Sequence, residues 1–187
     1  MLQARCPPAA RAAPPRAVVR KFLAAPPGAL PAGGALPAGG TLPDGEFEGY
    51  ASLFGQPDLG RDVVMPGAFA ASLARRGPRG IRMLWQHDPG EPIGLWLDLA
   101  EDSRGLRVRG RLNLGVRRAR DVHALMREGA LDGLSIGFRV ERAAPDRISG
   151  LRRLERLDLW EVSLVTFPML PGARIGPTLR TRPLTSA

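Results

Sequence analysis

The sequence predicts an α+β protein in which β-strands predominate, arranged as a small antiparallel sheet or barrel with two flanking helices. Three observations support this prediction: several segments in which apolar and polar residues alternate, one stretch with helical periodicity, and a low-complexity N-terminal segment set apart from both. Alternation places successive side chains on opposite faces of a strand, whereas apolar residues three and four positions apart share one face of a helix.

The chain divides into a tail, a domain and a second tail. Residues 1–45 are rich in Pro, Ala and Gly and repeat the motif Ala-Leu-Pro-Ala-Gly-Gly, a composition typical of a disordered, flexible segment. The domain is expected to span residues 46–173. The basic C-terminal residues 174–187 are expected to form a second flexible tail.

The positive charge of the chain lies mainly on these tails. The 187 residues include 27 Lys and Arg against 18 Asp and Glu. All acidic residues lie within residues 44–173, and that central part of the chain is nearly neutral. A neutral core argues against a specific nucleic-acid binder, whereas a basic tail would suit a place near an acidic scaffold or packaged nucleic acid.

Cysteine and histidine are too scarce for a disulfide or a typical metal site. Cys6 is the only cysteine, and His87 and His123 are the only histidines. The sequence contains no H-E-x-x-H motif, no glycine-rich phosphate loop and no apolar segment long enough to span a membrane. We therefore expect a soluble protein that needs no metal or cofactor and has no membrane partner.

The first elements of the domain are two strands and a short helix. Residues 47–53 alternate as a half-buried strand does. Pro66 should open a helix that runs to about residue 76, because its fixed φ suits a first helical turn. Residues 81–85 form a compact apolar strand that leads past His87 into a Pro-Gly turn at 89–90.

The middle of the domain predicts a hairpin and the longest helix. The first strand of the hairpin has apolar residues at alternate positions, which are Ile93, Leu95, Leu97 and Leu99. After a turn at 102–105, residues 106–112 alternate again, with arginines on a solvated face. Residues 116–128 have helical periodicity, and Gly129 is a natural stop.

Two further strands complete the predicted sheet. Residues 134–141 alternate, and residues 151–166 contain more β-forming sequence. The core positions expected in this last segment are Leu154, Leu157, Leu159, Val162 and Val165. The three tryptophans, Trp85, Trp96 and Trp160, are also expected in the core.

Ser135 is the candidate nucleophile. It lies in the pentapeptide Gly-Leu-Ser-Ile-Gly at 133–137, which matches the G-x-S-x-G pattern of α/β-hydrolases. That pattern requires a helix after the serine and a histidine later in the chain, whereas here a strand follows and both histidines come earlier. The α/β-hydrolase assignment is therefore rejected. What remains is a serine between glycines, where no bulky side chain would crowd an approaching peptide.

His87 is the candidate general base, since a serine hydroxyl needs a neighbouring base to become a nucleophile. It follows an apolar strand, whose end can present a side chain at the rim of a site. His123 lies within the predicted helix and is interpreted as a partly solvated helical position. A purely structural role is the alternative for each histidine.

Glu161 is the candidate group that fixes the tautomer of the imidazole and stabilises its cation. It lies in an otherwise apolar segment, residues 159–165, where a carboxylate needs a partner. The alternative is a structural salt bridge to one of the arginines. Asp88 and Asp132, both in turn-like sequence, are weaker candidates.

Several blocks of sequence between residues 49 and 173 form a specific pattern through their order and spacing. The blocks are 49–54, 62–69, 84–89, 92–94, 129–138 and 160–168. This pattern resembles the prohead, or head maturation, proteases of tailed bacteriophages and of the related gene transfer agents. The long N-terminal tail is not part of it.

The resemblance implies a closed β-barrel with surrounding helices, similar to the herpesvirus assembly proteases. It also implies serine catalysis, with His87, Ser135 and Glu161 at the catalytic positions of the family. Enzymes of this type cleave the scaffolding region of capsid proteins inside the immature shell and usually process themselves. The implied partners are therefore the major capsid protein and a second copy of the chain, and the implied location is the prohead in the bacterial host cytoplasm.

The oxyanion hole is not identified by the sequence, although Arg117 and Arg118 are candidates for it. Three other functions stay open at this point. The first is a non-catalytic capsid- or scaffold-associated assembly protein with the same fold. The others are an arginine-rich nucleic-acid binder, which the neutral core disfavours, and an acyl hydrolase of another fold, which the order His–Ser–Glu disfavours.

Overall fold

The computed structural model describes residues 44–176, so the predicted N-terminal tail lies outside the described residues up to residue 43, as do residues 177–187. The helices are α1 (Ala70–Arg76) and α2 (Arg117–Arg127), and Pro78–Gly80 forms a 3-10 turn. The strands are β1 (Glu46–Leu53), β2 (Asp62–Val64), β3 (Arg82–Trp85), β4 (Asp88–Glu101), β5 (Gly105–Leu112), β6 (Gly133–Pro145) and β7 (Arg152–Val165).

The strands form one curled sheet in the order β1-β5-β4-β3-β7-β2, with β6 paired to the other edge of β7. The long strand β7 pairs with β2 near its start and with β3 near its end. These two pairs are parallel, and the other strand pairs are antiparallel. The predicted mainly β architecture with two flanking helices is therefore confirmed, with two parallel pairs that the sequence did not predict.

Strands β1 and β6 are bridged by the short segment 173–176. On the β1 side, Tyr50 N–H donates to Arg174 O at 3.0 Å and Gly176 N–H donates to Glu48 O at 2.8 Å. On the β6 side, the segment makes two further backbone hydrogen bonds, Leu134 N–H to Ala173 O at 2.9 Å and Ile175 N–H to Asp132 O at 2.8 Å. Residues 174–176 therefore belong to the wall of the barrel, and their assignment to a flexible tail is wrong.

The interior of the barrel is filled by apolar side chains from alternating strand positions. In β5, Leu106 and Val108 are fully buried while Arg107 and Arg109 point to the solvated face, as predicted. Each fully buried side chain of this size stabilises the fold by about 1.5–3 kcal/mol. The predicted core positions of β7 are all buried, namely Leu154, Leu157, Leu159, Val162 and Val165.

Strand β4 departs from simple alternation. Leu95 is 46% exposed, whereas the adjacent Trp96 is 1% exposed. Pairing with β3 skips Ile93 and residues 89–91, and pairing with β5 skips Leu97, so the strand contains three irregularities. An extra residue in one strand reverses which face the following side chains occupy. The prediction that four alternate apolar residues share the inner face is therefore wrong, and Ile93, Trp96 and Leu99 are the buried ones.

Helix α1 begins at Ala70, four residues after the predicted start at Pro66, and residues 66–69 form turns. The N-cap residue Phe69 has no capping side chain of its own. Its backbone N–H instead donates to Glu101 Oε1 of β4 at 2.7 Å. A tertiary contact therefore replaces the local cap that a sequence pattern would reveal.

The C-terminal end of α1 is attached to β7 through Asp158. Arg75 Nη2 and Arg76 Nε lie 2.6 and 2.9 Å from Asp158 Oδ1. The hydrogen bond from Arg76 holds the pKa of this buried carboxyl well below its usual range. Trp160, predicted to be in the core, is instead 37% exposed and donates from Nε1 to Asp158 Oδ2 at 2.7 Å.

Helix α2 agrees closely with the prediction. It ends before Gly129, whose φ of 74° is the left-handed conformation that glycine adopts readily after a helix. Ala119, Val122 and Met126 are buried on its inner face. Between residues 44 and 176, no helix is long and apolar enough to cross a membrane.

Candidate active site

The three adjacent strands β3, β7 and β6 position the candidate residues. On β7, Glu161 lies opposite Gly137 of β6, and Ser163 lies opposite Ser135. Positions two apart on a strand and their cross-strand partners share one face of the sheet. Ser135 and Glu161 therefore lie on the same face of neighbouring strands, with Ser135 only 5% exposed.

His87 is presented by a tight turn between β3 and β4. Gln86 and His87 form a two-residue connection with φ values of 51° and 60°, so both adopt the left-handed conformation of a type I′ hairpin turn. Such turns prefer Asn and Gly, and other residues there are strained. Strained backbone of this kind clusters at functional sites. The predicted turn at Pro89 and Gly90 is wrong, because both residues belong to β4.

The structure brings His87 and Glu161 into direct contact. His87 Nδ1 lies 2.6 Å from Glu161 Oε1, and the side chains are 27% and 13% exposed. A carboxylate at Nδ1 favours the tautomer that carries its proton there, which makes Nε2 the proton-accepting nitrogen. Glu161 was expected to have a partner, either an imidazole or an arginine. The structure shows that the partner is the imidazole of His87.

Gly137 makes room for the Glu161 carboxylate. A Cβ atom at residue 137 would lie 2.0 Å from Glu161 Oε1, far inside van der Waals contact. The second glycine of the pentapeptide had been interpreted only as space for a substrate. Its position opposite Glu161 shows a more specific requirement, because a side chain there would displace the carboxylate from His87.

Sequence reasoning missed Ser163, which is completely buried between the other groups. Its Oγ donates to Glu161 Oε2 at 2.6 Å and accepts the backbone N–H of His87 at 3.1 Å. One signal could have identified it: Ser163 lies two residues after Glu161 in a strand, and so on the same face.

The weaker carboxylate candidates have other partners. Asp88 Oδ1 accepts the backbone N–H of Gly90 at 2.8 Å. Asp132 forms an ion pair with Arg174. Glu161 is therefore the candidate that contacts the imidazole of His87.

His123 lies on α2, away from the strands that carry Ser135 and Glu161. Its side chain is 11% exposed, and its Nε2 lies 3.4 Å from Asp44 Oδ1. The expectation of a partly solvated position is therefore wrong. The side chain belongs to the buried face of the helix.

The arginines suggested as oxyanion donors lie at the start of α2. Arg118 Nε lies 3.4 Å from Glu91 Oε2 of β4, and Arg117 is exposed. Their role in an oxyanion hole stays a prediction.

The carboxylate–imidazole pair and Ser135 lie on neighbouring strands or their ends, and Ser135 shares a sheet face with Glu161. Serine hydrolases use a carboxylate, an imidazole and a serine to activate their nucleophile. Comparison with known proteins agrees with this class, since residues 40–185 match the family described as caudovirus prohead serine protease. The prohead protease of Enterobacteria phage HK97 is 41% identical over 126 residues, which are 66% of this chain and 56% of that protein. The prohead protease of Escherichia phage T5 is 30% identical over 124 residues, 66% of this chain and 58% of that protein.

The chain belongs to the caudovirus prohead serine protease family. It spans little more than half the length of the two curated relatives it matches, 56% and 58%. Among solved structures, the capsid assembly protease of bacteriophage T4 superposes with a TM-score of 0.53 at 14% identity, covering 64% of this chain and 80% of that one. This similarity supports the mainly β fold described above.

Proposed function

We propose that this chain is a serine endopeptidase that cleaves the capsid or scaffold protein of a phage-like prohead and also cleaves itself. The observation that carries the proposal is the 2.6 Å contact between His87 and Glu161, beside a strand on which Ser135 faces the same side of the sheet. Membership of a peptidase family supports the same reaction class.

In the proposed mechanism, Ser135 Oγ attacks the carbonyl carbon of the scissile peptide bond. His87 takes the serine proton through Nε2 and then donates it to the leaving amine. Glu161 keeps the imidazole in the required tautomer and stabilises its cation. The developing oxyanion needs hydrogen-bond donors, each of which contributes about 10²–10³ to the rate. Arg117 and Arg118 at the start of α2 are the candidates for this role.

The proposed substrate follows from what the relatives are. Two of them are prohead proteases and a structural neighbour is a capsid assembly protease. The proposed partners are therefore the major capsid protein and a second copy of this chain. The proposed location is the inside of the immature prohead in the host cytoplasm.

Ser135→Ala should abolish cleavage and leave the fold intact, because the substitution removes one buried oxygen atom and no apolar contact. The chain would be co-expressed with its major capsid protein, and mass spectrometry would identify new termini on both proteins. Ser103→Ala is a matched control, because this serine lies in the exposed β4–β5 turn.

We expect new termini with the wild type and Ser103→Ala and none with Ser135→Ala. Cleavage by Ser135→Ala at close to the wild-type rate would overturn the proposal. A fluorophosphonate probe provides a second measurement, since an activated serine reacts with it covalently. Labelling of Ser135 separates an enzyme from a non-catalytic assembly protein with the same fold.

A further inference from the structure

We propose that Ser163 is a positioning residue that holds both the Glu161 carboxylate and the backbone of His87 in place for catalysis. This inference rests on the proposed serine peptidase function. Ser163 is completely buried and makes two hydrogen bonds, one to Glu161 and one to the backbone of His87.

The direction of the hydrogen bonds follows from chemistry. A serine hydroxyl has one proton to donate and two lone pairs that accept. The backbone N–H of His87 can only donate, so Ser163 Oγ accepts at 3.1 Å and its own proton is available for Glu161 Oε2 at 2.6 Å. This arrangement suits Glu161 as a carboxylate, which accepts at both oxygens.

These contacts close a ring of three hydrogen bonds. His87 N–H donates to Ser163, Ser163 donates to Glu161 Oε2, and Glu161 Oε1 contacts His87 Nδ1 at 2.6 Å. The ring ties the backbone and the imidazole of His87 to a single strand, β7. It also gives a physical reason for the left-handed turn, which aims the amide of His87 at Ser163.

The size of the side chain is constrained as well. Ser163 lies directly opposite Ser135 in the β6–β7 pair. A larger side chain at a completely buried position would push against its neighbours, and the candidate nucleophile is among them. A hydroxyl on a single carbon therefore supplies both hydrogen bonds with the least volume.

Ser163→Ala tests the proposal through the rate of fluorophosphonate labelling at Ser135. We expect the maximal labelling rate to fall about 10- to 100-fold, because small misplacements of catalytic groups have effects of this size. The probe concentration that gives half the maximal rate should change little, since Ser163 does not reach the probe. Ser163→Cys, close in size but a weak donor, should give an intermediate rate.

Ser72→Ala is the matched control. Ser72 on α1 is also completely buried, and its Oγ accepts the backbone N–H of Leu159 at 2.9 Å. We expect both Ser→Ala variants to lower the melting temperature, measured by circular dichroism, and only Ser163→Ala to lower the maximal labelling rate. Equal rate losses in both variants would indicate a general structural effect and overturn the proposal.

A double-mutant cycle with Glu161→Ala provides the second test. If Ser163 acts through Glu161, adding Ser163→Ala to the Glu161→Ala variant should lower the maximal labelling rate by less than about threefold. Full additivity of the two losses would overturn the proposal. The outcomes also separate the two levels of argument: a wild type that is not labelled at Ser135 contradicts the proposed function, whereas normal labelling of Ser163→Ala contradicts only this inference.

Discussion

The β3–β4 turn and helix α2 each carry one of the two histidines, and they surround the imidazole differently. The side chain of His87 is 27% exposed and has a carboxylate 2.6 Å from Nδ1, whereas that of His123 is 11% exposed and lies 3.4 Å from Asp44. The more buried histidine is thus the one packed as part of a helix face. Partial exposure together with a fixed tautomer distinguishes a candidate base from a structural residue.

Among variants that test this difference between the two histidines, His87→Ala is expected to lower the cleavage rate most. Loss of the base should lower the rate of capsid protein cleavage by about 10⁴–10⁶. His123→Ala should keep most of the activity and lower the free energy of unfolding by about 1–3 kcal/mol, because a buried side chain is lost. Cleavage rates and urea unfolding curves of both variants provide the measurement. If His123→Ala lost activity and His87→Ala kept it, His123 on α2 would be the general base instead.

Glu161→Gln should have the next largest effect. The amide keeps the shape of the side chain but removes the charge that stabilises the imidazolium, and we expect the cleavage rate to fall about 10³–10⁴. Glu155→Gln is the control, since Glu155 lies on the same strand and pairs with Arg142 at 2.8 Å. If both variants cleave at the same rate, the contact between Glu161 and His87 has no catalytic role.

Gly137→Ala should have the smallest of these effects. The added methyl group would occupy the position of Glu161 Oε1, so the carboxylate must move away from His87. We expect a rate loss of about 10² with the overall fold retained, as judged by circular dichroism. Gly115→Ala, where the nearest atom to an added Cβ is 3.1 Å away, should cleave normally. Wild-type activity of Gly137→Ala would show that the carboxylate tolerates displacement.

The sequence predicted the fold well where local patterns decide it. Strand β5 alternates between buried Leu106 and outward Arg107, and Gly129 ends α2, because periodicity and glycine conformation act within a few residues. In β4 the prediction failed at Leu95, since irregular strand pairing is set by neighbouring strands. The parallel pairing of β3 with β7 joins distant segments, and no local pattern encodes it.

The candidate site was predictable only in part, for the same reason. Ser135, His87 and Glu161 were suggested by residue type and by resemblance, and the structure places His87 and Glu161 in contact. Ser163 escaped notice because its only sequence signal is its position two residues after Glu161, which has meaning once Glu161 is known to contact His87. The left-handed turn at Gln86 also escaped, since neither of its residues favours that conformation.

The segment 173–176 affects when the backbone beside Ser135 can be completed during synthesis. It makes backbone hydrogen bonds to residues 132 and 134, which immediately precede Ser135. It also makes backbone hydrogen bonds to β1, the first strand of the domain in the sequence. During synthesis, the ribosome must therefore release almost the whole domain before the wall beside the nucleophile is complete. A nascent chain that has not yet reached residue 176 lacks these hydrogen bonds, so the backbone beside Ser135 is completed only when synthesis of the domain is nearly finished.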